Sequence, residues 1–246
     1  MTLDEVLASL FGSAFTVDER PDGILLGEGR LNAAHSVCLI GVVHGNALGV
    51  EGALTLAHRV LSVVRGGQRQ PIMVLIDSDS QRMSRRDELL GLNEYLAHLA
   101  KALSAADRAG FPTIALLYGG GAAGAFVTTA LATRALVALP GANPAVMDMP
   151  SISRVTKLPI DMLQRMSANT PVFAPGLANM QAMGAITETW KVQSGLHDQL
   201  LSLLQRVSEL PPDERDRMGQ QCGGRMKAAL IAATVMQQAL RRPIAQ

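Results

Sequence analysis

Tyr118-Gly119-Gly120-Gly121-Ala122-Ala123-Gly124-Ala125-Phe126 lies between an apolar, strand-like run at residues 112–117 and a helix-like run at residues 127–132. A strand, a turn almost without side chains and a helix start together expose backbone N–H groups at a helix N-terminus. Small residues there let an oxygen approach the main chain, and the helix dipole favours negative charge. An oxyanion hole for a thioester enolate requires such a place. A tight strand-to-helix crossover, in which glycines only permit close packing, fits the local pattern equally well.

Outward from this turn, the pattern alternates. Residues 36–43 read as a buried strand, followed by a Gly-rich loop at residues 44–49. A helix is predicted over residues 50–64, with Ala53, Leu54, Ala57, Val60, Leu61 and Val64 at helical spacing and a Gly cap at Gly66-Gly67. The clearest strand, residues 71–76, ends in a polar loop, Asp77-Ser78-Asp79-Ser80, and a long helix is predicted over residues 87–109. Residues 113–117 and 134–140 read as further strands, and residues 144–150 as a short strand or loop. Before all this, residues 1–30 read as a short helix followed by irregular or hairpin-like structure, with Pro21-Asp22-Gly23 as a turn signal. Repeated strand–helix alternation with wholly apolar strands indicates a parallel α/β architecture. Beyond Asp161 the pattern is helical, with helices expected near residues 180–183, 196–210 and 225–240 and Pro211-Pro212-Asp213 separating the last two. One domain is expected over residues 1–246, with residues 191–246 a helical extension.

Composition narrows the class. Of 246 residues, 48% are apolar but only 3% aromatic, so Ala, Leu, Val and Met must fill the interior. A net charge of +1 supplies no general attraction to nucleic acid or membrane surfaces. Cys38 and Cys222 are far apart, without disulfide or zinc spacing, so a reducing compartment fits best. The first residues carry acids rather than a basic leader, and no run reaches membrane-span length, so a cytoplasmic location without membrane or nucleic-acid partners is expected. No Gly-x-Ser-x-Gly elbow, phosphate-binding loop or dinucleotide fingerprint occurs in the right context. A ClpP-type protease would need a serine at the turn, where this chain has Ala122, Ala123 and Ala125.

Each remaining candidate has two readings. His44 either contacts substrate or acts as an acid, or it bonds a neighbouring backbone group. His35, His58, His98 and His197 read as structural or solvated. Asp77 and Asp79 end the central strand, where α/β folds place functional groups, yet Asp77 also suits a loop cap and Asp79 a solvated position. Ser78, Ser80 and Gln81 are hydrogen-bonding candidates for substrate. The Met147, Met149, Met162 and Met166 stretch reads as core filler. No metal set is visible.

Three blocks in order carry a resemblance: Ile76-Asp77-Ser78-Asp79-Ser80-Gln81, Tyr118-Gly119-Gly120-Gly121-Ala122-Ala123-Gly124, and Ala168-Asn169-Thr170-Pro171-Val172-Phe173-Ala174-Pro175-Gly176. They resemble the γ subunit of biotin-independent malonate decarboxylase, in the carboxyltransferase branch of the crotonase-like superfamily, from Leu26 to about Trp190. The resemblance implies a crotonase-like (ClpP/crotonase) α/β fold of repeated β-β-α units. It also implies pairing with a β subunit as a heterodimer or higher assembly, with an acyl carrier protein and an α transferase subunit as further partners. The implied reaction converts malonyl-S-acyl carrier protein to acetyl-S-acyl carrier protein and CO2 through an oxyanion-stabilised enolate. No cofactor is expected on this chain, the substrate riding on the CoA-like arm of the carrier. Within that picture Gly124 and Ala125 are the expected amide donors, Gly120 and Gly121 shape the turn, and Ser78, Ser80, Gln81 and His44 are expected near substrate. Two alternatives stand. The α-type half of a biotin-dependent acyl-CoA carboxyltransferase is disfavoured by the loop 77–84, which lacks that family's Pro and Gly after the Asp. The other is a non-catalytic scaffold for the β subunit.

Overall fold

Three apolar segments form the middle of one sheet: β3 (Ser36–Leu48), β4 (Ile72–Gln81) and β5 (Thr113–Ala122), all parallel. The hairpin β1 (Phe15–Glu19) and β2 (Ile24–Arg30) extends it antiparallel beyond β3. On the other side β6 (Ala135–Ala138) and β8 (Glu188–Thr189) continue it in parallel, while β7 (Asn143–Ala145) pairs with the far end of β5. This computed structural model describes all residues except 33–34, 170–174, 208, 210–214 and 242–246. The helix break expected at Pro211-Pro212-Asp213 lies outside the described residues.

The central strands are apolar throughout because both faces of the sheet are covered. On one face Ile40, Val42, Val74, Ile76, Ala115 and Leu117 pack under α2 (Val50–Gly66) and α4 (Leu92–Arg108). On the other, Leu39, Met73, Leu75 and Leu116 pack under α1 (Leu3–Phe11), Trp190 and α9 (Leu196–Arg206). Helix α1 begins with a capping box in which Thr2 and Glu5 bond each other's backbone amides. Helix α9 is fastened to it where Ser9 Oγ accepts the Leu196 N–H at 3.1 Å and the Leu10 carbonyl accepts His197 Nδ1–H at 2.7 Å. His197 is thus structural.

The remaining helices are α3 (Arg85–Leu89), α5 (Ala123–Thr129), α6 (Met149–Thr156), α7 (Ile160–Asn169), α8 (Leu177–Ala182), α10 (Arg215–Gln221) and α11 (Ala228–Arg241). Arg215 of α10 donates to the carbonyls of Leu131 and Thr133, at 2.9 and 2.7 Å, just beyond α5. In α11, Leu230, Ile231, Val235, Met236 and Leu240 are exposed.

Several boundaries differ from the sequence expectation. Residues 44–48 are not a loop but the end of β3, joined irregularly to β4 through Asn46–Ser78 and Leu48–Gln81. The polar segment 77–81 is likewise strand, because neighbours on both sides supply ladder partners. The helix expected at 87–109 is two helices, separated where Gly91 adopts φ 80°. In α2 the buried stripe runs through Ala53, Leu56, Ala57, Val60 and Val63, leaving Leu54 exposed. Met147 and Met162 are exposed rather than core filler.

Helix α2 starts at Gly49, which has no side chain to cap it, and Asp87 does so from α3. Asp87 Oδ1 accepts the Val50 N–H at 2.9 Å, Ser84 Oγ–H donates to Oδ2, and Ser84 Oγ accepts the Asp87 N–H at 3.0 Å. The residue is only 1% exposed. Burial alone would raise its pKa, but the Ser84 hydroxyl, the Val50 amide and the charges of Arg82 and Arg86 outweigh it and hold the carboxyl below the usual Asp range. Asp87→Ala is expected to reduce stability by about 1–2 kcal/mol in urea unfolding at neutral pH. Because the folded pKa is depressed, this contribution is present above the unfolded Asp pKa. The gap between wild type and variant should close as pH falls through the folded pKa.

Candidate functional site

Strands β4 and β5 run in register as far as Ile76–Leu117, then shift so that Ser78 faces Gly121. At this opening, two side chains of β4 take over the work of the ladder. Asp77 Oδ1 accepts the Gly120 N–H at 2.8 Å, and Gln81 Oε1 accepts the Gly124 N–H at 2.8 Å. The glycines make room for this. A Cβ on Gly119 would lie 2.2 Å from Asp77 Oδ1, and one on Gly121 would lie 2.7 Å from a Leu117 methyl and 2.9 Å from the Phe126 ring. The chain then turns sharply into α5 at Ala123, a non-glycine residue at φ 52°. Such left-handed geometry costs on the order of 1 kcal/mol and persists because the surroundings fix it.

The same end of the sheet gathers the other expected residues. Ser78 is buried, and its hydroxyl donates to the Asn46 carbonyl at 2.9 Å. Ser80 Oγ–H donates to the Gln81 carbonyl at 2.8 Å. His44, at φ 60° and with its side chain 56% exposed, donates from Nε2 to Glu19 Oε2 at 2.8 Å. Its partner here is a carboxylate on β1, not the neighbouring backbone group of the second of its two readings. Asp79 is exposed. Strand β7 lies alongside Gly120, Gly121 and Ala122, and its Pro144 carbonyl accepts the Gly176 N–H at 2.8 Å. The end of the segment 167–176 is thereby anchored beside the turn, while its residues 170–174 lie outside the described residues.

Two expectations need revision. The Gly124 amide, expected to be open, is taken up by Gln81. Ala125 is fully buried in the core on the helix-covered face of the sheet, so its N–H is closed to solvent. Gly120 is held by the Asp77 bond, and Gly121 is closely packed against Leu117 and Phe126. Sequence reasoning missed Tyr118, whose side chain is buried with its hydroxyl near Asp77, Glu19 and the His44 backbone. Burial first, then the negative charges of Asp77 and Glu19, push its pKa up, so the phenol stays protonated. Among the described residues no cluster of three or more His, Cys, Asp or Glu side chains is arranged to hold a metal ion. No helix among them is long and apolar enough to cross a membrane.

The whole fold is similar to solved structures of carboxyltransferases and decarboxylases. A Pseudomonas malonate decarboxylase hetero-tetramer in complex with coenzyme A superposes with a TM-score of 0.78 at 23% identity, covering 95% of this chain and 99% of that one. A transcarboxylase 12S core gives 0.68 at 16% identity over 86% of this chain and 41% of that one. The fold is therefore crotonase-like. In sequence, a Malonomonas rubra malonyl-S-ACP:biotin-protein carboxyltransferase is 26% identical over 215 residues, 80% of this chain and 74% of that protein. Residues 43–239 match the malonate decarboxylase gamma subunit family, and the chain belongs to that family.

The fit of Gly119 against Asp77 can be tested directly. Gly119→Ala is expected to destabilise the chain by about 1–3 kcal/mol, an overpacking cost. In an Asp77→Gly background at least half of that penalty should vanish, as read from a double-mutant cycle in urea.

Proposed function

We propose that this chain is the γ half of a two-subunit decarboxylase, acting with a β subunit of the same fold on malonyl-S-acyl carrier protein. The bond between the malonyl methylene and its carboxylate breaks, and its electron pair moves into the thioester carbonyl to form an enolate. The β subunit holds the enolate oxygen, and the Gly119–Gly124 turn faces the departing carboxylate. The enolate carbon then takes up one proton, giving acetyl-S-acyl carrier protein and CO2. An α subunit exchanges acetyl for malonyl on the carrier, and the assembly works in the cytoplasm. The substrate brings its own CoA-like arm. Residues 1–246 act as one carboxyltransferase domain in this reading.

The observation that carries the reading is the family match over residues 43–239, which includes both clamped amides and the strand that clamps them. A solved Pseudomonas MdcD-MdcE hetero-dimer, with a TM-score of 0.74, and a malonate-bound hetero-tetramer support a shared site. The chemistry agrees: the Gly119–Gly124 turn carries no Lys or Arg, and a cation beside the carboxylate would stabilise the ground state more than the transition state.

One observation favours a second reading. The Malonomonas relative is by name a biotin-protein carboxyltransferase, so the carboxyl group would pass to biotin rather than leave. Incubating the chain and its β subunit with carboxyl-labelled malonyl-S-acyl carrier protein separates the two. Free labelled CO2 without biotin, formed only in the mixture, is expected. Label retained on added biotinyl protein would select the second reading, and no turnover by a confirmed complex would overturn both. Gly124→Pro removes the clamped N–H. It should lower turnover at least tenfold while the heterodimer still assembles, and full activity would leave this chain as a scaffold.

A further inference from the structure

The turn and its clamp raise the question of which group on this chain can donate a hydrogen bond to an anionic substrate. The Gly120 amide is engaged by Asp77, and the Gly124 amide by Gln81. The hydroxyls of Ser78 and Ser80 donate to backbone carbonyls, and His44 Nε2 donates to Glu19. Ala125 is fully buried. The Tyr118 hydroxyl is buried, and a further donor stands at the other end of the Gln81 carboxamide. Because Gly124 contributes an N–H, only the oxygen of that carboxamide can face it, so Nε2 and its two hydrogens point away. Their single partner among the described residues is the sulfur of Met83, at 3.6 Å, a weak acceptor on a side chain that is itself exposed.

We infer that the Nε2 hydrogens of Gln81, rather than the backbone amide of Gly124, are what this chain presents to the malonyl carboxylate. The inference rests on the decarboxylase reading above. The backbone at Gln81 is tied to β3, through its pairing with Leu48 and the Arg82 N–H to Leu48 carbonyl bond at 2.8 Å, and this directs where the carboxamide is delivered. Accepting a bond at Oε1 polarises the amide and strengthens its N–H groups as donors. A neutral carboxamide orients the carboxylate without a full positive charge to retain it. Gln81 therefore touches the reactant but not the acetyl product, from which the carboxylate has gone.

That asymmetry gives the test, carried out on the heterodimer of this chain with its β subunit. Gln81→Ala should raise KM for malonyl-S-acyl carrier protein about tenfold to a hundredfold, as expected for losing a hydrogen bond to a charged group. The inhibition constant of acetyl-S-acyl carrier protein should stay within about twofold, and kcat should fall less than KM rises. Gln81→Glu keeps an acceptor for Gly124 but offers no donor and adds a like charge. It should impair malonyl binding more than Gln81→Ala at neutral pH, with part of the loss recovered in acid. Unchanged KM in both variants, or equal weakening of malonyl and acetyl carriers, would overturn the assignment and leave Gln81 as a support for the turn. Absence of CO2 release from the wild-type heterodimer would instead remove the decarboxylase reading and this inference with it.

Discussion

A backbone amide withdrawn from water must find an acceptor, and this requirement governs the place where β4 and β5 part. Up to Ile76–Leu117 the parallel ladder satisfies both strands. Beyond it the ladder shifts, and side-chain oxygens of Asp77 and Gln81 reach the Gly120 amide and the Gly124 amide in the first turn of α5. Each bond spans 43 residues of sequence, so the two pairs keep step as the strand advances by four positions. Glycine at 119 is required because the Asp77 carboxylate lies where a Cβ would be. The turn owes its shape to its neighbour as much as to its own residues.

The rest of the sheet holds that neighbour still. Strand β4 is central, with apolar side chains buried under α2 and α4 on one face and under α1 and α9 on the other. Its end is tied through Leu48 to β3, and the segment after it is tied through Asp87 to the start of α2. A carboxamide carried on such a strand end has little freedom beyond its own rotamer. This is the rigid support that positioning a small anionic substrate demands.

The fold was legible where burial on two sides leaves a plain signature. The runs at residues 36–43, 71–76 and 113–117 are apolar without alternation, and they became the three central parallel strands. The crotonase-like carboxyltransferase class also followed, through the three motif blocks and their order. Legibility failed where polar residues form strand. Residues 44–48 and 77–81 look like loops because local polarity carries no record of the partners that pair with them. In α2, the choice between Leu54 and Leu56 for the core depends on how the helix rolls onto the sheet, and Leu54 faces out.

The candidate site divides along the same line. Glycine and alanine at positions 119–125 by themselves determine a turn of small residues between a strand and a helix, since conformational permissiveness and lack of bulk are properties of the residues. Tertiary structure alone decided which hydrogen-bonding groups that turn leaves open. It engaged Gly124 with Gln81, enclosed Ala125, directed His44 to Glu19 and turned the Gln81 carboxamide outward. The reason is that hydrogen-bond satisfaction depends on what stands across a gap of about 3 Å, and strand pairing puts residues 43 positions away there.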